Sequence, residues 1–566
     1  MKANRQYSFG RKIMFHKSTT FLLIVLIALL GVACSPAPNN VNTAPVDNST
    51  SQNQPAEVPL LEQEAVADDG IMQRQAESLP PSVMAISPAP TGGAPVGAVS
   101  QPNQASQVAP TPSDMQFEDY GVNPFIDTQD DNLSTFAMDV DTASYTVARN
   151  YLIGQNQYPP DEAVRIEEFV NYFDAGYESP SDETFGIYLD AAPAPFGYEG
   201  HYVLRVGIQG KYIAPEDRQP TLLIFVIDVS GSMDMENRLG LVKETLALLV
   251  NELREDDRVA IAVYSDNSRV VLQPTPASEK ETLLTAINNL QPEGSTNAEA
   301  GLNLGYQVAR DNLRDGENTR VILLSDGVAN VGNTGPDAIL NTIKEGVEAG
   351  ITMSAIGFGM GNYNDVLMEQ LANDGNGNYY YVDNIREARR VFVHNLTSTL
   401  QVIGYDAKIQ VDFNPEITDR YRLLGYENRA VADEDFRNDT VDAGEVGAGH
   451  SVTALYELAL QEGDNLEGVI ATAYIRYEDA ETREVVELQH AITVADVLAN
   501  LDEAPANFRV QVAVAEFAEL LKGSFWAEDG TYGAVLALIE SADMGGNEDV
   551  AELIEMIRVA VRLSDQ

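Results

Sequence analysis

TLLIFVIDVSGSM, residues 221–233, decides how the rest of the chain is read. Residues 222–227, LLIFVI, are apolar without interruption. A strand with one face in water alternates apolar and polar residues; an unbroken run of this length fits a strand covered on both faces, as in a parallel sheet. Polar residues follow at once: Asp228, Ser230 and Ser232, with Gly231 permitting a tight turn. In open α/β sheets, ligands gather outside the carboxyl ends of strands, where this loop falls.

The pattern repeats on the C-terminal side. A helix is expected through Glu252, with Val242, Leu246, Leu249 and Leu253 at helical spacing. DRVAIAVYS (257–265) reads as a strand and ASEKETLLTAINNL (277–290) as a helix, with Ser278 at the N-cap and Glu281 at the box position. STNAEAGLNLGYQVARDNL reads as a helix, TRVILLSDG (319–327) as a strand, DAILNTIKEGVEAG as a helix and ITMSAIGFG as a strand. YYYVDN (379–384) is a short strand and IREARRVFVHNLTSTL a closing helix. Strands alternating with helices of this length predict an α/β domain with a doubly wound, mostly parallel sheet over 221–400.

Carboxylate and hydroxyl oxygens on one loop suit a hard divalent cation. Two more oxygen groups stand at comparable places: Thr296 in EGSTN, just before a helix, and Asp326 in LLSDG, at the end of a strand. The span 221–400 resembles the von Willebrand factor type A family. Its metal-ion-dependent adhesion site uses an Asp-x-Ser-x-Ser loop, a Thr from a second loop and an Asp from a third. Asp228, Ser230, Ser232, Thr296 and Asp326 match those positions. The resemblance implies that they hold Mg2+, with Ca2+ or Mn2+ as alternatives, and that a partner's carboxylate takes a remaining coordination position. Gly294 and Asn297 are placed behind this set as supporting residues. Over 117–566 the arrangement resembles bacterial exported YfbK-like proteins, in which one module precedes the type A domain and another follows it.

The flanks read differently. Residues 117–177 are expected to form a small N-terminal α+β module, with helices over Ser144–Tyr151 and through VRIEEFVNYF. Residues 184–210 alternate as strands and are expected to pack with the segment after 400. Residues 401–495 alternate with period two, which predicts an antiparallel β-rich domain. Residues 503–566 read as C-terminal helices, the first with an apolar face at Val510, Val514, Phe517, Leu520 and Leu521.

The N-terminus explains the sole cysteine. Residues 1–20 carry five Lys and Arg and no acid, and FLLIVLIALLGVA (21–33) is a short apolar run ending at Cys34. This is a signal-peptide pattern, too short for a comfortable membrane span. LGVAC resembles a bacterial lipoprotein cleavage box, with Gly31 where a branched aliphatic is usual. The resemblance implies lipidation at Cys34 and a membrane anchor; ordinary signal cleavage and an uncleaved anchor are the alternatives. Residues 35–114, rich in Pro, Asn, Ser and Gln, bury too little to fold and read as a disordered linker.

Charge bounds the partners. There are 35 Lys plus Arg against 86 Asp plus Glu, a formal net charge of −51. Such a surface repels nucleic acid and anionic lipid headgroups. It also repels an acidic partner at long range unless the face around the ion is less acidic or salt screens it. Gly357, Gly359 and Gly361 in IGFGMGNYND do not make a dinucleotide loop, and DGNGNYYYVDNI (374–385) lacks two hallmarks of a calcium loop. None of the five His stands in a pairing motif with a nucleophile. The leading expectation is an envelope-tethered, metal-dependent protein-binding module that is not an enzyme. A structural component of an envelope complex with a stabilising metal and a metal-dependent hydrolase are the alternatives.

Overall fold

The computed structural model describes residues 115–235, 238–327, 336–359, 363–463 and 466–565. The expected signal segment 1–34 with Cys34, the linker 35–114, and Gly361 lie outside the described residues.

The chain begins with β1 (Ile126–Asp127), β2 (Leu133–Ala137), α1 (Ala143–Arg149), which runs on into a π turn, and α2 (Ile166–Asn171). Then come β3 (Phe185–Pro193) and β4 (Tyr202–Gly210). The α/β region holds β5 (Thr221–Asp228), α3 (Leu239–Glu252), β6 (Arg258–Tyr264), β7 (Ser268–Pro276), α4 (Lys280–Asn288) and α5 (Ala298–Asp311). It continues with β8 (Asn318–Ser325), α6 (Pro336–Glu348), β9 (Ile351–Phe358), α7 (Asp365–Asn373), β10 (Tyr379–Val382), α8 (Ile385–Arg389) and α9 (Leu396–Leu400). After it come β11 (Val402–Phe413), β12 (Thr418–Leu424), β13 (Gly444–Gly447), β14 (Ser451–Leu460), β15 (Val469–Asp479) and β16 (Val485–Thr493). Three helices end the chain: α10 (Ala506–Lys522), α11 (Tyr532–Ser541) and α12 (Glu548–Ser564).

The central sheet has the order β10-β9-β8-β5-β6-β7. All its pairings are parallel except β6 with the edge strand β7. Every residue of β5 is buried, and alternate side chains go to opposite helical layers. Leu222, Ile224 and Val226 join α5, α6 and α7; Leu223, Phe225 and Ile227 join α3, α4 and α8. That two-sided burial is why LLIFVI needs no polar residue. The sheet is doubly wound, as its alternating strands and helices require.

Two antiparallel sheets flank it. One has the order β1-β12-β14-β4-β3; the other runs β13-β11-β15-β16 with β2 also on β11. Their facing sides share one core, which includes Leu204, Val206, Ile409, Val411, Tyr456 and Ile475. Strand β4 pairs with β14 from Ser451↔Gln209 to Leu458↔Tyr202. The α/β region is therefore inserted within a β-sandwich whose strands come from both sides of it. The outer side of the first sheet is covered by α2 and the C-terminal helices, with Phe169, Phe508 and Phe517 all 0% exposed. At roughly 1.5–3 kcal/mol for each such side chain, this helical layer is a main source of stability.

Residues 117–177 do not close into a module of their own. β1 pairs with β12 and β2 with β11. α1 lies between two cores: Ala143, Val147 and Tyr151 enter the α/β core, and Tyr145, Ala148 and Leu152 enter the helical one. Local periodicity showed helix and strand here but not that each piece had a different partner. Smaller differences follow the same logic. The closing helix is split by a π turn at Arg390–His394. The N-cap of α4 is Glu279 with no side-chain cap bond, so Ser278 does not cap it.

Candidate functional site

The site residues come from three loops: the one after β5, the one between α4 and α5, and the one after β8. Asp228 ends β5, is 0% exposed, and lies level with Tyr264 of β6. Its Oδ1 accepts the Ser230 amide at 2.8 Å and its Oδ2 accepts the Ser325 hydroxyl at 3.3 Å. Ser230 and Ser232 place their hydroxyl oxygens 2.9 Å apart. Asp326 directly follows β8, which neighbours β5 in register Ile227↔Leu324, and is 5% exposed. Burial first, and the Asp326 charge second, push the Asp228 carboxyl up to about 6.

The second loop is tied to the first through its backbone. The Gly231 amide donates to the Gly294 carbonyl at 3.1 Å, and the Glu293 amide donates to the Val229 carbonyl at 2.6 Å. Gly294 has φ +65°, and a Cβ there would come within 2.5 Å of the Asp266 carboxylate, so the bridge requires glycine. Ser295 donates its amide to Asp266 at 3.1 Å. Thr296, half-buried, follows in this braced loop. Asn297 is the N-cap of α5, and its side chain accepts the Ala300 amide at 3.1 Å, so it anchors the helix that carries the loop.

Arg238 was not legible as a site residue. Its guanidinium is buried, pairs with Asp326, and donates to the Ser232 carbonyl at 3.1 Å. The two groups of the ion pair are 88 residues apart in sequence, and a lone Arg after the Asp-x-Ser-x-Ser loop carries no periodic or motif signal.

The donor set suits a small divalent cation. Mg2+ takes oxygen ligands at 2.0–2.1 Å in octahedral geometry, which puts neighbouring ligand oxygens about 3 Å apart; the 2.9 Å between Ser230 and Ser232 oxygens fits such an edge. The buried Asp228 carboxylate beside them forms no ion pair among the described residues, and Asp326 adds a second negative charge. A catalytic serine would need a base. Among the described residues no His bonds to Ser230 or Ser232; His201 Nδ1 lies 2.7 Å from Glu457, and burial pushes His450 down to about 4.

Two clefts among the described residues lie away from these loops. One of about 460 Å³ is lined by Lys211, Arg320, Tyr405 and Asp479, at the start of β8. Another of about 400 Å³ is lined by Asp139, Arg429 and Asp442. A second carboxylate group, Asp406, Asp442 and Glu445 in the sandwich, brings ligand oxygens within 4.8 Å of one another among the described residues. No helix among the described residues is long and apolar enough to cross a membrane.

Comparison with known proteins follows these boundaries. Residues 223–395 match the family described as von Willebrand factor type A domain, residues 398–563 that described as uncharacterized protein YfbK, C-terminal, and residues 111–204 that described as von Willebrand factor. The chain is 39% identical over 375 residues to "uncharacterized protein YfbK" of Escherichia coli (strain K12), covering 65% of each chain. It is 30% identical over 189 residues to "uncharacterized protein sll0103" of a Synechocystis species, covering 33% of this chain and 44% of that one. The chain spans less than two thirds of the length of these curated relatives. A solved structure described as von Willebrand factor type A from Catenulispora acidiphila aligns with TM-score 0.39 and 15% identity, covering 68% of this chain and 91% of that one.

Proposed function

The chain is a YfbK-like protein built around a von Willebrand factor type A domain, and from that premise we propose that it is an envelope-tethered, divalent-metal-dependent protein-binding module. The observation that carries this reading is the pair of serine hydroxyls 2.9 Å apart beside the buried Asp228, which forms no ion pair among the described residues. Type A domains commonly bind a divalent metal at such a site. Asp228, Ser230, Ser232, Thr296 and Asp326 are the residues that would hold Mg2+ here. A bound ion supplies an electrophilic position for a carboxylate oxygen of a protein partner. The chain's own part is positional: β5 and β8 fix the two aspartates, and the Gly231–Gly294 and Glu293–Val229 bonds lock the hydroxyl loop to the Thr296 loop. Removing an acceptor from this set leaves the others in place but takes away charge that offsets the cation.

The tether is proposed from the sequence. The basic head, the apolar run 21–33 and Cys34 support export and lipidation, and residues 35–114 support a flexible spacer to the folded part. The binding reading is tested by pulldown from envelope extract with and without EDTA, using the natural chain and Asp228→Ala. Partners lost on both treatments support it. Partners retained on both overturn it. For the tether, Cys34→Ser is expected to release the protein from the membrane fraction; an unchanged membrane fraction rejects lipidation at that residue.

A further inference from the structure

The ion-binding reading takes no account of Arg238, whose side chain is set among the same loops. It is 3% exposed, its guanidinium pairs with Asp326, and it donates to the Ser232 carbonyl at 3.1 Å. One fixed positive charge therefore contacts two of the three loops from which the site is built. The placement has its own support in the backbone. At Gly359, just past β9, φ is +76°, and a Cβ would come within 2.6 Å of Nε and 2.8 Å of Cγ of Arg238. The strand end is kept bare where the arginine stem lies across it.

We infer that Arg238 is a built-in counter-cation that competes with the divalent ion for Asp326 and so sets the affinity of the site; this rests on the ion-binding reading above. The charge count gives the reason. Among the described side chains buried together here, Asp228 and Asp326 with Arg238 sum to −1, so an incoming divalent ion leaves +1 among groups shielded from solvent. Without the guanidinium the same two carboxylates sum to −2, and the ion neutralises them. Buried charge is tolerated when it is paired and penalised when it is not. Uptake of the ion therefore displaces the guanidinium from Asp326, and the Arg238–Asp326 pair holds the loops together while the ion is away. A site guarded in this way fills only where divalent ion is plentiful. Arg238 is a positioning residue: it touches Asp326 and the Ser232 backbone.

The test is Mg2+ and Mn2+ binding by calorimetry on the full chain, comparing the natural protein with R238Q, R238K and D228A, with thermal unfolding of each ion-free protein alongside. R238Q is expected to bind Mg2+ at least about tenfold more tightly while its ion-free form is less stable. R238K keeps the charge and is expected to return affinity to near the natural value. A purely structural arginine would change the unfolding temperature and leave the ion constant unmoved, or weaken it. If the natural chain takes up ion in a D228A-sensitive way and R238Q binds it no more tightly, the competition is overturned and the ion site stands. If the natural chain and R238Q both take up no ion, the ion site itself falls and the competition with it. Tight binding by R238Q with none measurable in the natural chain supports the competition.

Discussion

Asp228 and Asp257 stand at opposite ends of the same sheet, and both are 0% exposed. Asp257, just before β6, accepts from Arg218 through both carboxylate oxygens, from the Thr221 amide at 3.0 Å and from the Arg254 amide at 2.8 Å. Its charge is matched and its hydrogen-bonding capacity is taken up. Asp228 accepts the Ser230 amide at 2.8 Å and the Ser325 hydroxyl at 3.3 Å, with the Ser230 and Tyr264 hydroxyls also beside it, but among the described residues no cation pairs with it and its charged neighbour is another aspartate. The same residue type at the same burial thus does two jobs. Where partners are supplied from the chain, the aspartate joins the strand starts of β5 and β6. Where no cation is supplied among the described residues, its charge is left for the proposed ion to match.

The contrast breaks most directly by substitution. Asp257→Ala strips a buried arginine of its partner and is expected to cost about 3–5 kcal/mol, read from denaturant unfolding of the ion-free chain. Asp228→Asn, at the other end, is expected to cost less than about 1 kcal/mol, because it also removes repulsion with Asp326. Equal losses would erase the distinction.

Ligand then sharpens it. Saturating Mg2+ at a hundred times the dissociation constant is expected to add about 2.7 kcal/mol to the natural chain and nothing to Asp228→Asn, measured as the shift in thermal unfolding. A shift that survives Asp228→Asn would move the ion to another group, with Asp406, Asp442 and Glu445 the next to test.

A third carboxyl, Glu516, sets a pH dependence of its own. Burial first, and Glu519 second, push it up to about 8, with Arg422 pulling the other way. Its folded pKa lies above its unfolded one, so the folded state holds the proton longer and stability falls as pH rises from about 4.5 to about 8. Glu516→Gln is expected to remove that loss, gaining about 2 kcal/mol above pH 8 and little at pH 4. A gain that is the same at both pH values would mean that packing, not charge, is responsible. The smallest effect belongs to Ser232→Ala. The exposed hydroxyl should change ion-free stability by less than about 0.5 kcal/mol while weakening Mg2+ binding in calorimetry.

The parts legible in the sequence were those set by local pattern. LLIFVI announced a strand buried on both faces, and the Asp-x-Ser-x-Ser turn fell at its end because loop follows strand there. Edge and interrupted elements were harder to see. β7 is half exposed along its length, so SRVVLQPTP shows no clean alternation. α7 is only nine residues long, and its N-cap Asn364 sits in a polar run that reads as loop. Partners distant in the chain left no trace at all. Nothing near Arg218 names Asp257, and nothing near Arg238 names Asp326, because each pair is made by folding rather than by spacing.

The insertion of the α/β region has a mechanical consequence. The chain enters it from β4, in one sheet of the sandwich, and leaves it into β11, in the other. Tension applied at the strand-end face is therefore divided between two attachment points. The β4–β14 ladder and the β11–β15 ladder would carry it together, each along eight paired positions. Neither ladder has to give way alone before the other takes up load, which is the property wanted in a link between a surface and whatever pulls on it.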